Sequence, residues 1–166
     1  MKEKLEAHAL KLGKVVGNLQ TIELLARQSI AKLDRSHQGS SIDILLHVKE
    51  AEFVDYSPIT DKNDLGQTLG RYNRLCPVQF KIDAYPIIKL RDAIAHGRVF
   101  GMQGSQSGMR EHLRLIKFEK KQSGRKVRVE HVIDMTPEWF SKTITTLEGA
   151  IENLRHACDM ERRPFK

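Results

Sequence analysis

The sequence predicts a mainly α fold, a helical bundle with a β-hairpin inserted before its last helix. Apolar residues recur at spacings of three and four over residues 5–33, which is typical of one long amphipathic helix. Thr136-Pro137-Glu138 is a strong start signal for the last helix. Between these helices, two segments rich in β-formers, residues 113–118 and 127–133, enclose a polar turn. The length of 166 residues suits a single domain, 1–166, with the hairpin insertion at about 110–134.

The first predicted helix has an apolar stripe and two glycines. The stripe comprises Leu5, Ala9, Leu12, Val16, Leu19, Ile22, Ala26, Ile30 and Leu33. Gly13 and Gly17 each cost a helix about 1 kcal/mol relative to Ala, so we expect a neighbouring element to pass close to them. A polar run over residues 36–41 should end this helix. Residues 42–56 are ambiguous, because their apolar residues alternate as in a strand and also suit a short helix.

Two shorter helices are predicted in the middle of the chain. Thr60 or Asp61 is expected to cap the first of them, which should end before Pro77. Its predicted inner face comprises Leu65, Leu69, Tyr72 and Leu75. The next helix lies within residues 80–96, and Gly97 is well placed to terminate it. Its predicted apolar side comprises Ile87, Leu90 and Ile94.

The C-terminal part begins with a predicted loop over residues 101–108, which are rich in Gly and Ser. The hairpin follows, with its turn at residues 120–125. The last helix should bury Trp139 or Phe140 and a series of residues spaced by three or four. That series comprises Ile144, Leu147, Ile151, Leu154 and Cys158.

The charge is concentrated on the predicted hairpin. The chain has 28 basic and 21 acidic residues, a formal net charge of +7. Residues 110–128 contain eight Lys or Arg against two acids, so nearly the whole surplus lies there. Such a cluster favours a polyanionic partner. The alternative is an edge strand kept charged to prevent strand-to-strand aggregation.

The sequence gives no indication of a membrane protein, a secreted protein or a metal-binding protein. The longest apolar runs are far shorter than the about 20 residues that a bilayer requires, and the N-terminus lacks a secretion signal, so we expect a cytoplasmic protein without a membrane partner. The two cysteines, Cys76 and Cys158, are expected to be buried. Seven scattered histidines show no metal-ligand spacing, so neither a metal nor another cofactor is expected.

Arg91, Asp92 and His96 form the candidate site. Asp92 and His96 are four residues apart on a helix, so the carboxylate can fix the imidazole, which exchanges protons near neutral pH. Arg91 offers a planar fork that suits a phosphate. Arg91 and His96 lie about 140° apart around the helix axis, so either the Arg side chain curls or a second copy across a two-fold axis completes the site. A purely structural role at the helix C-terminus is the alternative.

The string Leu90-Arg91-Asp92-Ala93-Ile94-Ala95-His96-Gly97-Arg98 resembles the Arg, polar residue, x3, His motif of the HEPN superfamily. Its bacterial members in toxin–antitoxin and phage-defence systems carry very similar strings. The resemblance implies a four- to five-helix bundle and a metal-independent endoribonuclease that cleaves single-stranded RNA. It also implies a homodimer with a composite active site and a possible antitoxin protein as a partner. The family often has Asn at the position of Asp92.

The resemblance also implies roles for individual residues. His96 would act as general base or acid, Arg91 would neutralise the phosphorane, and Asp92 would orient the pair. The expected RNA contacts are Arg98, Arg114, Lys117, Lys120, Lys121, Arg125, Lys126 and Arg128. A catalytically inactive HEPN module that binds RNA, a nucleotide or a partner protein is the alternative. A DNA-binding antitoxin or transcription factor ranks last, because the sequence has no recognisable DNA-binding motif.

Overall fold

The computed structural model describes residues 2–34, 42–102, 112–123 and 125–159. This part of the chain has four α-helices and a three-stranded antiparallel sheet, and it is 62% helical. The helices are α1 (Lys2–Leu33), α2 (Leu65–Leu75), α3 (Ala84–His96) and α4 (Pro137–Asp159); the strands are β1 (Arg98–Met102), β2 (His112–Ser123) and β3 (Lys126–Met135). Short 3₁₀ helices occur at Ile42–Leu46 and Val78–Phe80. The predicted mainly α fold is therefore confirmed.

The chain divides into two compact units. The sheet unit comprises Met1–Leu19 and Tyr85–Leu147, and the helical unit comprises Gln20–Ala84 and Glu148–Lys166. The candidate site residues all belong to the sheet unit, together with α3 and the three strands. None of the helices in the described ranges has the length and apolar character that crossing a bilayer requires.

α1 buries a stripe that is shifted at one end from the prediction. Four apolar residues of its C-terminal half are buried as predicted: Leu19, Ile22, Ala26 and Ile30. Nearer the N-terminus, His8 and Val15 are buried instead of Ala9 and Val16. The His8 ring packs 5.8 Å from the ring of Phe140, and burial lowers the pKa of His8. A polar residue thus occupies a core position because an aromatic ring covers it.

α2 begins later than predicted, at a different cap. Asp64 caps the helix: its carboxylate accepts the Gln67 N–H at 2.8 Å, and the Gln67 side chain accepts the Asp64 N–H at 3.0 Å. Thr60 and Asp61 do not cap it, because the Asp61 carboxylate pairs with Arg27 and Thr60 belongs to the preceding turn. Three residues of the predicted inner face are buried: Leu65, Leu69 and Tyr72.

Residues 42–56 form no strand, and a short helix occurs only over the first five of them. After the short 3₁₀ helix Ile42–Leu46, residues 47–56 have no helix or strand. Several large apolar side chains here face solvent, and Phe53 is fully exposed. The two cysteines, Cys76 and Cys158, are buried as predicted, and burial raises the pKa of both thiols.

The sheet has one strand more than the predicted hairpin. β1 pairs with β2, and β2 pairs with β3, both antiparallel. Residues 101 and 102 of the predicted loop belong to β1, and residues 103–108 lie outside the described part. The β2–β3 register shifts beside Lys117: Lys117 is opposite His131, but Phe118 is opposite Val129. Glu130 is therefore the extra residue of a β-bulge.

The start of α4 is confirmed. The Trp139 N–H donates to Thr136 Oγ1 at 3.1 Å, and Pro137 is the first helical residue. Phe140, rather than Trp139, is the buried aromatic residue. Four other predicted core residues are buried, Leu147, Ile151, Leu154 and Cys158, whereas Ile144 is half-buried.

The glycines of α1 and of the α3–β1 junction have different surroundings. A Cβ added at Gly13 or Gly17 would meet no described atom within 4 Å, so the predicted close neighbour is wrong. At Gly97, which follows α3 directly, an added Cβ would collide with the Ala93 carbonyl and lie 2.9 Å from Leu115 Cδ2. Glycine is therefore required where α3 meets β1, because backbone and sheet approach too closely for a side chain.

We expect Gly97→Ala to destabilise the protein by about 1–3 kcal/mol, the usual cost of an overpacked site. The free energy of unfolding, measured by urea denaturation, checks this. Gly149→Ala is the matched control, since Gly149 lies on α4 with open space around it. The control should be neutral or slightly stabilising. Equal stability of the two variants would contradict the close approach at Gly97.

Candidate functional site

The last two turns of α3 present the candidate residues on the surface. The helix buries Ile87 and Ala93. The side chains of Asp92 and His96 are 39% and 53% exposed. The imidazole is therefore accessible to a substrate rather than enclosed in the core.

Asp92 and His96 are brought together as the sequence spacing predicts. His96 Nε2 lies 3.5 Å from Asp92 Oδ1, an ion pair when the imidazole is protonated. Arg91 is half-buried and forms no hydrogen bond or ion pair with any residue of the described ranges. Within one chain, the Asp92 carboxylate and the His96 imidazole form a pair. Neither of them binds the Arg91 guanidinium.

Lys117 joins this pair from the sheet. Its ammonium group binds the Asp92 carboxylate and lies 2.9 Å from Glu130 Oε1. The Lys117 side chain is only 13% exposed. Its contact with Glu130 depends on the β-bulge, because a bulge changes the direction of the extra side chain on its strand.

The electrostatics of this cluster keep Asp92 ionised. The hydrogen bond from Lys117 lowers the pKa of Asp92, and the charges of Lys117, His96 and Arg91 lower it further. The same contact with Asp92, together with that of Glu130, raises the pKa of Lys117. At neutral pH, Asp92 is thus a carboxylate placed between the Lys117 ammonium group and the His96 ring.

Sequence reasoning missed this position of Lys117 because the signal is not local. Asp92 and Lys117 are 25 residues apart, and only the β2–β3 register and its bulge define what faces α3. Lys117 was predicted as one of eight RNA contacts on the strength of its charge. The structure places it in ion pairs beside the catalytic candidates.

Arg114, another predicted RNA contact, is also engaged in an ion pair within the sheet. Its guanidinium donates to both carboxylate oxygens of Asp134, at 2.6 and 2.9 Å. His112 Nε2 lies 3.0 Å from the same carboxylate. These contacts lower the pKa of Asp134 to about 2. Arg114 therefore contributes to the pairing of β2 with β3, where Asp134 is directly opposite it.

The other predicted RNA contacts are more accessible. Arg128 is 81% exposed, although it lies 3.4 Å from Glu119. Lys120, Arg125 and Lys126 are exposed near the turn of the hairpin, and the exposed Arg98 is on β1. The side chain of Lys121 is outside the described part of the structure. A role of these residues in RNA binding stays a prediction.

A separate cavity of about 360 Å³ lies beside the site within the sheet unit. α3, β3 and α4 line it with residues that include Tyr85, Leu90, His131, Ile133 and Trp139. Arg91, Asp92 and His96 are not among the lining residues. The side chains of Asp92 and His96 are exposed and Arg91 is half-buried, so the Asp92–His96 pair is open to a large substrate such as a polymer. In the described ranges, no three His, Cys, Asp or Glu side chains are grouped to hold a metal ion.

We expect Lys117→Gln to raise the pKa of Asp92, because the substitution removes the ammonium group that stabilises the carboxylate. A ¹³C NMR titration of the Asp92 carboxyl carbon measures this, with Lys126→Gln as the exposed-lysine control. A lowered pKa stabilises the fold above the ordinary value, about pH 4, and that contribution is lost as the pH falls further. Lys117→Gln should therefore show a smaller loss of stability on acidification. An unchanged Asp92 titration would contradict the ion pair.

Comparisons with known proteins add no relative to this picture. No family model matches the chain, and neither a curated protein nor a solved structure matches it. Function is therefore inferred from the motif on α3 and from the side chains around it.

Proposed function

We propose that this protein is a metal-independent endoribonuclease of the HEPN type that cleaves single-stranded RNA by attack of a ribose 2′-hydroxyl. The observation that carries the proposal is the exposed His96 imidazole, which lies 3.5 Å from a carboxylate that Lys117 keeps ionised. Arg91 supplies, on the same two turns of α3, a guanidinium that pairs with no carboxylate of the described residues. These are the groups that an in-line phosphoryl transfer requires.

The proton chemistry can be written for His96. As general base, the neutral imidazole takes the proton of the 2′-hydroxyl while the 2′-oxygen forms a bond to phosphorus. The bond from phosphorus to the 5′-oxygen breaks, and that oxygen takes a proton from a general acid. The products are a 2′,3′-cyclic phosphate and a 5′-hydroxyl. DNA has no 2′-hydroxyl and cannot react in this way.

Asp92 serves this reaction by position rather than by proton transfer. Its lowered pKa means that it stays ionised while the imidazole exchanges protons. A carboxylate near Nε2 stabilises the imidazolium form and orients the ring. Lys117 and Glu130 hold the carboxylate in place, so the orientation of His96 depends on contacts with the sheet.

Arg91 provides the positive charge for the transition state. A guanidinium binds two phosphate oxygens at once, and its charge persists at every physiological pH. Because Arg91 and His96 diverge around the helix axis, the best arrangement is a two-fold homodimer in which each phosphate meets the Arg of one copy and the His of the other. The motif resembles those of bacterial toxins and phage-defence effectors, so we propose that role, with an antitoxin protein as regulator.

The first test is cleavage of an unstructured RNA by the purified protein in excess EDTA. We expect cleavage to persist and to leave 2′,3′-cyclic phosphate ends, identified by mass spectrometry. His96→Ala and Arg91→Ala should each lower the rate at least about a hundredfold, since each removes a group that stabilises the transition state.

Matched controls are available on exposed positions elsewhere. His47→Ala and Arg155→Ala remove the same side-chain types from surfaces outside the motif, and both should leave the rate unchanged. An all-deoxy oligonucleotide should not be cleaved. Wild-type rates in His96→Ala would overturn the assignment, whereas RNA binding without cleavage would favour the inactive module.

Mixing inactive variants tests the composite site. If each site takes Arg91 from one copy and His96 from the other, a dimer of one Arg91→Ala and one His96→Ala chain retains one intact site. Random exchange of equal amounts should then restore about a quarter of the wild-type rate. A mixture as inactive as its components would show that both groups must come from one chain.

A further inference from the structure

One face of the sheet carries two aromatic side chains, Phe100, which is exposed, and Phe118, which is half-buried. Paired residues lie on the same face and neighbours along a strand alternate, so the register defines this outer face. Its residues include Arg98, Phe100, His112, Arg114, Ile116, Phe118, Val129, Val132 and Asp134. The contacts of Arg98 with Phe118 and of Arg114 with Asp134 agree with that assignment.

The opposite face is the one that packs into the core. Leu115 and Met135 are fully buried there, and Lys117 reaches Asp92 of α3. On the outer face, by contrast, Phe100 is 45% exposed, and Val129 and Val132 are each 48% exposed. An apolar surface on the open side of a small sheet needs an explanation other than core packing.

Phe100 and Phe118 lie on neighbouring strands of this face, about 14 Å apart along the strand direction at about 3.4 Å per residue, with the Arg98–Ile116 pair between them. Phe118 follows Ile116 at the next position of the same face of β2, and Phe100 is opposite Arg114 on the neighbouring strand. The guanidinium carbon of Arg98 lies 5.6 Å from the centre of the Phe118 ring. Aromatic rings with an adjacent guanidinium are the side chains on which unpaired nucleobases stack.

The charges around the outer face suit a polyanion. The three described carboxylates of β2 and β3 each have a basic partner: Glu119 has Arg128, Glu130 has Lys117, and Asp134 has Arg114. Four other cations, three on the strands and Arg125 in the turn before β3, form no ion pair with a described carboxylate: Arg98, Lys120, Arg125 and Lys126. The sheet therefore has positive charge in excess of what its own acids neutralise.

We propose that the outer face binds single-stranded RNA by stacking unpaired bases on Phe100 and Phe118, with Arg98 at the end nearest the catalytic candidates. Arg98 follows His96 by two residues, so their Cα atoms are at most about 7 Å apart. Because β1 is an edge strand, an RNA strand on this face reaches the imidazole by passing around that edge at Arg98. The inference rests on the proposed function for its substrate, but it concerns binding alone.

Stacking defines the specificity of this surface. Every base has a π face, so the surface accepts any sequence, whereas a duplex hides its base faces and is not accepted. The expected preference is therefore for unpaired RNA of any sequence, with an affinity that falls as salt rises.

Binding is measured by fluorescence anisotropy with a labelled, unstructured 12-nucleotide RNA. The full-length His96→Ala protein is the background, so that RNA is not consumed. Phe100→Leu and Phe118→Leu keep apolar bulk but remove the ring, and each should weaken binding about tenfold. Phe100→Tyr and Phe118→Tyr should bind as the background does. Phe53→Leu, at a fully exposed phenylalanine in the helical unit, is the matched control and should have no effect.

Three results would overturn the proposal. The first is that the leucine variants bind RNA as tightly as the His96→Ala background. The second is that the tyrosine variants bind RNA as weakly as the leucine variants. The third is that a 12-base-pair duplex competes for binding as well as the single strand does. Sedimentation without RNA adds a fourth: a lower oligomeric mass in Phe100→Leu would assign this face to contact between copies. Ring-dependent binding by a wild-type protein that cleaves no RNA would support this inference and refute the proposed catalysis.

Discussion

The ion pair between Asp92 and Lys117 is the contact on which the site depends. It joins the end of α3 to the middle of the sheet, and it gives the Asp92 carboxylate a fixed place and a fixed charge. His96 takes its position relative to that carboxylate. Without the lysine, a half-exposed aspartate on a helix surface would hold the imidazole only as loosely as other surface pairs do. The geometry of the proposed reaction is therefore a property of helix and sheet together.

Local chemistry made much of this fold predictable. The Thr136 cap, the Pro137 start of α4 and the end of α3 before Gly97 all follow from signals within a few residues. The cap of α2 was misplaced because the stretch before it offers several capping side chains, and Asp61 is occupied by Arg27 from a distant helix. β1 was missed because its five residues include a glycine and run directly into a sequence rich in Gly and Ser.

The residues of the candidate site could be predicted from the sequence, but the contacts that join them to the sheet could not. Arg91, Asp92 and His96 stand out by type and spacing, and the distance between the last two agrees with an i, i+4 pair. The part of Lys117 was not predictable, because it depends on strand register and on a bulge at Glu130. Likewise, the charge count over residues 110–128 does not distinguish among its eight cations. In the fold, Arg114 binds Asp134 and Lys117 binds Asp92, so these two cations are paired within the protein. The charge counted from a sequence exceeds the charge available to a binding partner wherever paired strands bring acidic and basic side chains together.

The junction at Gly97 has a consequence for how this chain tolerates change in length. A single residue connects the last turn of α3 to the first residue of β1, so nothing absorbs an insertion or a deletion there. Because strand side chains alternate, one extra residue would exchange the faces of the sheet on which Arg98, Val99 and Phe100 lie. Homologous chains that keep this architecture should accordingly vary in length in their loops while holding the interval from His96 to Phe100 constant.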